Sequence, residues 1–470
     1  MQSHLRWVIF GRISALYKKW FGQVEQLTTE AGLDLQIVPR DGHDISRKHI
    51  SPNAIKVLYR LHKAGYKGYL VGGGVRDLLL GLEPKDFDVA TDATPEQVKK
   101  LFRNCRLVGR RFRLAHILFG REIIEVATLR GHHESDNSKI AKTNQSGRLL
   151  RDNVYGNIDE DAERRDFTVN AMYYDISDFS VRAYGGALQD LQAGRLRLIG
   201  DPETRYREDP VRMLRAVRFA TKLDMHIDKD AAAPIVSLAP LLKDIPAARM
   251  YEEALKLFFN GKAEANYQLM QQYQLFGPLF PMLASAMDDA PNGSAAMMAL
   301  KVMQATDARV AQDKPVTPSF FYAALLWYPL AERAVEIANE AGLNSYDAHF
   351  AAMGDVLEMQ NQRISLPRRH ATPTKDIWQL QLRLERSMGS RAFKLIELPK
   401  FRAGYDLLLL RADVEGGRVA KLADWWTQFV EGDDAARRQL VRGQGGGKRP
   451  QNRRRRRPRQ RPAAKPQGES

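Results

Sequence analysis

Cysteine is almost absent from this chain: Cys105 stands alone among 470 residues. One thiol cannot close an intramolecular disulfide, and it excludes a cysteine-rich zinc site. A reducing compartment suits such a chain, and a cytoplasmic location is expected. Long apolar runs are missing too. Nothing approaches the roughly 18 residues that a membrane-spanning helix needs, so no membrane span is expected. The N-terminus offers only Trp7-Val8-Ile9-Phe10, without a signal-peptide core or a small-residue cleavage site. Acids are scarce at the other end. Residues 442–470 hold eleven Lys and Arg against one Glu, so the other 441 residues carry only +6 of the net +16. A cationic segment this concentrated calls for a polyanionic partner, most simply nucleic acid.

What is present is enough apolar residue, 44%, for packed interiors. The length predicts roughly two to four domains. Residues 1–50 read as a polar, irregular leader. Residues 51–200 alternate helix and strand signals: a helix from Ser51-Pro52 to about Lys63, a strand at Gly68–Val71, a helix after the glycines, a strand at Phe87–Ala90, then strands at Ile117–Phe119 and Ile123–Ala127 around a Gly120-Arg121 turn. This predicts an α/β head with a small mixed sheet. From about residue 205 the patterns are helical: Asp209–Leu223, Ala247–Phe259, Ala263–Tyr273, Ser294–Gln304 and Phe320–Leu330. The fold class expected is therefore α+β, the head followed by an all-helical region over 201–440. Residues 441–470, rich in Gly, Arg, Pro and Gln, cannot bury a core and are expected to be disordered.

The chemistry concentrates in a few blocks. In Leu70-Val-Gly-Gly-Gly-Val-Arg-Asp77, glycines between a strand and a helix let backbone N–H groups approach an anion, with Arg76 in the first turn. Such a cluster alone marks only a tight turn. Asp86-Phe87-Asp88 sharpens it, because residues i and i+2 of a strand share a face. Two carboxylates that close repel each other unless a cation stands between them, and magnesium takes one or two carboxylates with phosphate oxygens completing its shell. Two ions so held, magnesium or alternatively manganese, suit phosphoryl transfer. Glu125, a charge inside the apolar run Ile123–Ala127, is a candidate third carboxylate.

Further on, Arg164-Arg165-Asp166 offers guanidinium groups that match phosphate oxygens. In Arg207–Phe219, Pro210 starts a helix after Asp209, and Arg212, Arg215 and Arg218 fall on one side of it. An Arg donor beside an Asp acceptor matches the edge of adenine or cytosine and mismatches guanine and uracil.

Leu70–Asp77, Asp86–Val89, Arg164–Ala171 and Glu208–Phe219, in that order, resemble the class II tRNA nucleotidyltransferase/poly(A) polymerase family over about 160 residues. The resemblance implies a nucleotidyltransferase head (51–200), a helical neck (201–280), a helical body (281–440) and a basic tail. It also implies two metal ions on Asp86 and Asp88, with Asp166 as the family's third carboxylate. Gly73, Arg76 and Arg165 would contact the triphosphate, Asp209 and Arg212 would read the base, and Arg215 and Arg218 would support nucleotide binding. Stretches such as Leu101–His116, Pro367-Arg368-Arg369 and Lys400–Asp406 are similar to the bacterial poly(A) polymerase branch. That branch implies adenylate addition from ATP to RNA 3′ ends by a monomer, with RNA-decay machinery as an associated partner. Addition of CCA to tRNA is the alternative, since it uses the same blocks.

Overall fold

The computed structural model describes residues 25–444, apart from 30–31, 110–112, 132–140, 144–148, 153, 291–292 and 387. The basic segment 445–470 therefore lies outside the described residues.

The N-terminal region is built on one mixed sheet. Its strands are β1 (Glu25–Thr28), β2 (Asp34–Val38), β3 (Gly68–Val71), β4 (Asp88–Thr91), β5 (Cys105–Val108), β6 (Leu114–Phe119) and β7 (Glu122–Thr128); β8 (Ala141–Thr143) and β9 (Leu149–Asp152) form a separate ribbon; β10 (Met172–Asp175) and β11 (Val181–Tyr184) return to the sheet. The order is β1-β2-β11-β10-β3-β4-β7-β6-β5, nine strands. Every neighbouring pair is antiparallel except β4 with β7.

Local chemistry explains the helices that flank it. In α1 (Pro52–Lys63) the Ser51 hydroxyl accepts from the N–H groups of Asn53 and Ala54, and Pro52 fills the first position, where its missing donor does no harm. The helix buries Ala54, Val57, Leu58 and Leu61. A short helix, α2 (Gly73–Leu79), follows the glycine turn. Next, α3 (Pro95–Leu101) opens with a Thr94–Gln97 capping box, and α4 (Ile158–Glu163) with one between Asn157 and Glu160. After α5 (Ala187–Ala193) come α6 (Pro202–Glu208) and α7 (Val211–Leu223), whose Val211, Met213, Leu214, Ala216 and Val217 are buried.

The helical prediction holds beyond this point, with two differences. A two-residue strand, His226–Ile227, pairs in parallel with Arg195–Leu196. The pattern over Phe320–Leu330 resolves into two helices, Pro318–Leu325 and Trp327–Ala341, meeting at Leu326. The leader reading of residues 1–50 needs a larger correction. Residues 34–38 run hydrogen-bonded along β11, with Leu35 and Val38 in the core, and residues 25–28 pair with them. Asp34-Leu-Gln-Ile-Val38 is too short and too interrupted by polar residues to announce a strand; the partner strand supplies the missing signal.

The chain divides into two compact units, residues 1–374 and 375–470. The second is helical in its described part, around Phe401–Glu415 and Gly417–Glu431. Its core packs Leu384, Phe401, Tyr405, Trp425, Trp426 and Phe429, and the Trp426 indole N–H donates to the Leu384 carbonyl at 3.1 Å. Among the described residues no helix is long and apolar enough to cross a membrane.

Candidate active site

The glycine turn sits where β3 passes into α2. Gly72 has φ +70°, a conformation that side chains disfavour, and its N–H donates to the Met172 carbonyl at 3.0 Å. A Cβ placed there would stand 3.3 Å from the Arg165 guanidinium. One added at Gly74 would meet the Asp86 carbonyl at 3.5 Å. Glycine is thus required at Gly72, by its backbone conformation and the arginine close to it, whereas a Cβ at Gly74 would make only ordinary contact.

Arg165 is fixed from below. Its Nε donates to the Tyr173 hydroxyl at 2.7 Å and its Nη2 to Asp161 at 3.1 Å, while Tyr173 itself donates to Asp161 at 2.7 Å. Burial works against the charge of Asp161, but Arg165 and Arg130 beside it hold its carboxyl below the usual range. Arg76 departs from expectation. At 1% exposure it does not reach outward from the helix; it lies under the turn, bonded to Asp77 at 2.7 Å and to the Asn170 amide oxygen at 2.6 Å. A Cβ on Gly73 would meet its guanidinium at 3.4 Å. Arg76 therefore supports the turn from the interior.

Asp166 is engaged as well. Its carboxylate receives the Arg215 Nε at 2.7 Å, the Asn170 amide at 3.1 Å and the Phe167 N–H at 2.8 Å. Burial opposes its charge, yet the Arg215 guanidinium and these donors hold its carboxyl far below the ordinary value. The pair joins the strand-proximal turn to α7. Arg76, Arg215 and Arg218 all face the ring of Phe219, at 5.7, 5.2 and 4.6 Å from its centroid. Among the described residues the Arg218 Nε has no hydrogen-bond partner, and burial with Arg215 nearby lowers its pKa. Lys222, one turn further on α7, is lowered by burial and, against the pull of Asp77, by Arg76, Arg218 and Lys85. Sequence alone did not point to Lys222.

The carboxylate side is different in kind. β4 begins at Asp88, so Asp86 precedes the strand and is not a ladder residue beside it; both are exposed. Asp88 stands directly across from Glu125 of β7. Desolvation and the Glu125 carboxylate push the Asp88 pKa up to about 6, with Arg165 pulling against them and Asp86 adding to them. The charges acting on Asp88 are thus those of Glu125, Arg165 and Asp86, while Asp166 is spent on Arg215. Glu125 in turn pairs with His116 Nε2 at 3.2 Å. These are hard oxygen donors under mutual repulsion, the chemistry that suits a divalent magnesium-like ion. Among the described residues no group of three metal-ligating side chains converges into a ready-made cage.

The candidate base reader also has partners the sequence hid. Asp209 is gripped by Arg249, from helix α8 (Ala247–Phe258), through two bonds of 2.8 and 2.7 Å. Arg212 donates to Glu208 at 2.8 Å and to the Arg205 carbonyl at 2.6 Å. Asp209 and Arg212 are near neighbours through the backbone, Arg212 N–H to Asp209 carbonyl at 2.9 Å, but each side chain has its own clamp.

Three family models match: the poly A polymerase head domain over residues 68–197, a probable RNA and SrmB-binding site of polymerase A over 224–287, and the polymerase A arginine-rich C-terminus over 341–461. The poly(A) polymerase I of Salmonella typhimurium is 56% identical over 428 residues, 90% of this chain and 92% of that protein. That of Haemophilus influenzae is 49% identical, over 87% of this chain and 91% of its own. The CCA-adding enzyme of Lactobacillus helveticus is 36% identical over 47% of this chain and 53% of its own. Among solved structures, the Bacillus stearothermophilus CCA-adding enzyme in complex with CTP superposes with a TM-score of 0.52, at 23% identity, over 80% of this chain and 81% of that one. At that identity the likeness speaks to the fold.

Proposed function

The chain belongs to the bacterial poly(A) polymerase I family, and on that premise we propose how its site divides the work of adenylate addition. The activity is that of a polynucleotide adenylyltransferase, which joins AMP from ATP to an RNA 3′-hydroxyl and releases pyrophosphate. CCA addition is set aside, because the CCA-adding relatives align over only about half of this chain.

One observation supports the reading above the rest: a wall of guanidinium groups and a cluster of carboxylates under mutual repulsion meet at the glycine turn. Arg165 presents Nη1 against Gly72, and Arg215 and Arg218 stand on the Phe219 ring. These cations would bind and orient the triphosphate. Asp86 and Asp88 would hold the divalent ions, with Glu125 alongside; bound ions supply Lewis-acid activation of the hydroxyl and neutralise the departing pyrophosphate. Asp166, the expected third carboxylate, acts by fixing Arg215, and Arg76 by supporting the turn beneath Gly73. Asp209 and Arg212, held by Arg249 and Glu208, would present an acceptor and a donor to the adenine edge. No side chain need form a covalent intermediate; the protein positions its substrates and stabilises developing charge.

The basic segment 445–470 would tether RNA non-specifically, with affinity that falls steeply as salt rises. A monomer working in the cytoplasm alongside RNA-decay machinery completes the proposal. The test is primer extension with magnesium, a generic RNA and each nucleoside triphosphate in turn. Long products from ATP alone, absent from the Asp86→Ala/Asp88→Ala variant, are expected. Short products that need both CTP and ATP on tRNA ends would overturn the proposal.

A further inference from the structure

A row of side chains leads away from Asp88 on the side opposite the glycine turn. Asp88 pairs in register with Glu125 on β7, Glu125 with His116 on β6, and His116 with Arg106 on β5. Residues directly across from one another share a sheet face, so all four project together. The two faces of β5–β7 differ sharply. One buries Cys105, Ala115, Ile117, Ile124 and Val126, and α3 packs against these strands. The other carries Arg106, His116, Glu125 and Ile123, none of them buried, with Ile123 46% exposed. Nearer the centre this same face is covered, with Val71, Ala90 and Tyr173 packed against Ala162 and Ile158 of α4. The exposed third is thus a continuation of the sheet that the described residues leave without a roof.

We propose that the Arg106–His116 end of this row, with Ile123 beside it, is the binding track for the 3′-terminal nucleotides of the RNA primer. The inference rests on the reading that the triphosphate occupies the glycine-turn side. Phosphoryl transfer places the attacking and leaving oxygens roughly in line across the phosphorus. With pyrophosphate leaving toward Arg165 and Arg218, the attacking hydroxyl must approach from the β7 side of Asp88. That approach runs over His116 and Ile123 to Arg106. Three strand spacings, about 14 Å, separate Arg106 from Asp88, room for the last few nucleotides. The charge order fits a primer: a cation at the far end for a backbone phosphate, an imidazole and an apolar side chain in the middle for a base or ribose, and carboxylates at the hydroxyl. Arg106 forms no ion pair among the described residues, and His116 is oriented by Glu125 at 3.2 Å. Neither the folding of the sheet nor the grip on ATP explains an exposed arginine and isoleucine and a half-buried histidine aligned with Asp88.

The experiment measures KM for a short oligoadenylate primer and KM for ATP separately, in the full-length enzyme and in Arg106→Ala, His116→Ala and the double variant. All three change partly or fully exposed positions. The primer KM is expected to rise about tenfold in the double variant, the scale of one lost stacking or phosphate contact, with the ATP KM within about twofold. Arg106→Ala should also flatten the salt dependence of primer binding by about one phosphate contact, and Arg106→Lys should restore it. Arg218→Ala supplies the contrast, raising the ATP KM. An unchanged primer KM, or equal rises in both constants, would overturn the track. Failure of the unmodified enzyme to extend RNA at all would instead overturn the functional reading beneath it.

Discussion

The two halves of the site treat charge in opposite ways. On the arginine half three guanidiniums have partners, Arg76 with Asp77 and Asn170, Arg165 with Asp161 and Tyr173, Arg215 with Asp166, and the Arg218 Nε is left without one among the described residues. On the carboxylate half, Asp86, Asp88 and Glu125 stand close together with no arginine bonded to them among the described residues, and desolvation, reinforced by the Glu125 and Asp86 charges, pushes the Asp88 pKa up to about 6. Paired charge makes a stable frame, because breaking a pair strands the survivor in a poorly solvated place. Unpaired charge is tolerated where a ligand completes it. Groups on the first half should therefore matter to folding, and groups on the second to turnover.

The largest expected effect is on turnover. Asp88→Ala should lower AMP addition by about a thousandfold or more, at the upper end of what one electrostatic group supplies, while thermal unfolding shows no loss of stability. A large loss of stability would erase the comparison. Asp166→Ala tests the other half: stranding Arg215 should cost about 3 kcal/mol by chemical denaturation. The Asp166 carboxyl is held below its ordinary value, so its stabilisation is present above that ordinary value and is lost as pH falls through the folded one. The penalty of the substitution should shrink in acid accordingly. Arg249→Ala leaves the frame intact but frees Asp209. Discrimination between ATP and CTP should fall by about tenfold, the scale of one hydrogen-bonded charge, read from kcat/KM ratios.

The smallest effect sharpens the comparison most. Asp88→Asn removes the repulsion without removing volume. A carboxyl whose folded pKa is raised stabilises the fold fully below its ordinary value and loses that contribution as pH climbs through about 6. In chelator, the variant should therefore unfold later than the parent at about pH 8 by about 1 kcal/mol, a pKa-based figure discounted for the exposure of the group. The gain should shrink as pH falls through that window and disappear at about pH 3, below the ordinary carboxyl value.

The same contrast decides what the sequence could reveal. The carboxylate half was legible because repulsion at close spacing is a local pattern: Asp86 and Asp88 stand two apart, and Glu125 interrupts an apolar run. Strand Gly68–Val71 and helix Ala247–Phe258 were legible for the same reason. Of the paired half, the sequence showed the cations and Asp166 but not which charge meets which. Asp161, Asn170 and Tyr173 look ordinary in the chain, and Arg249 lies 40 residues from the aspartate it clamps. Pairing across such separations leaves no periodicity to read. The burial of Arg76 was hidden on the same ground: Asn170 arrives from 94 residues away to cover it. Arg106 and His116 lay in a stretch noted for family likeness, yet their alignment with Asp88 appears only once the strands are in register.

The outer pair β1–β2 bears on how this protein can be dissected. The head-domain match begins at residue 68, and a recombinant fragment cut there would lack Asp34–Val38. Val181–Tyr184 would then display a full row of free backbone donors and acceptors where Leu35–Val38 now pair, along with apolar surface that Leu35 and Val38 cover. Such a bare strand is a template for another copy of itself. An isolated catalytic fragment has to begin upstream of residue 34, or it will come out of the cell as aggregate whatever the quality of its active site.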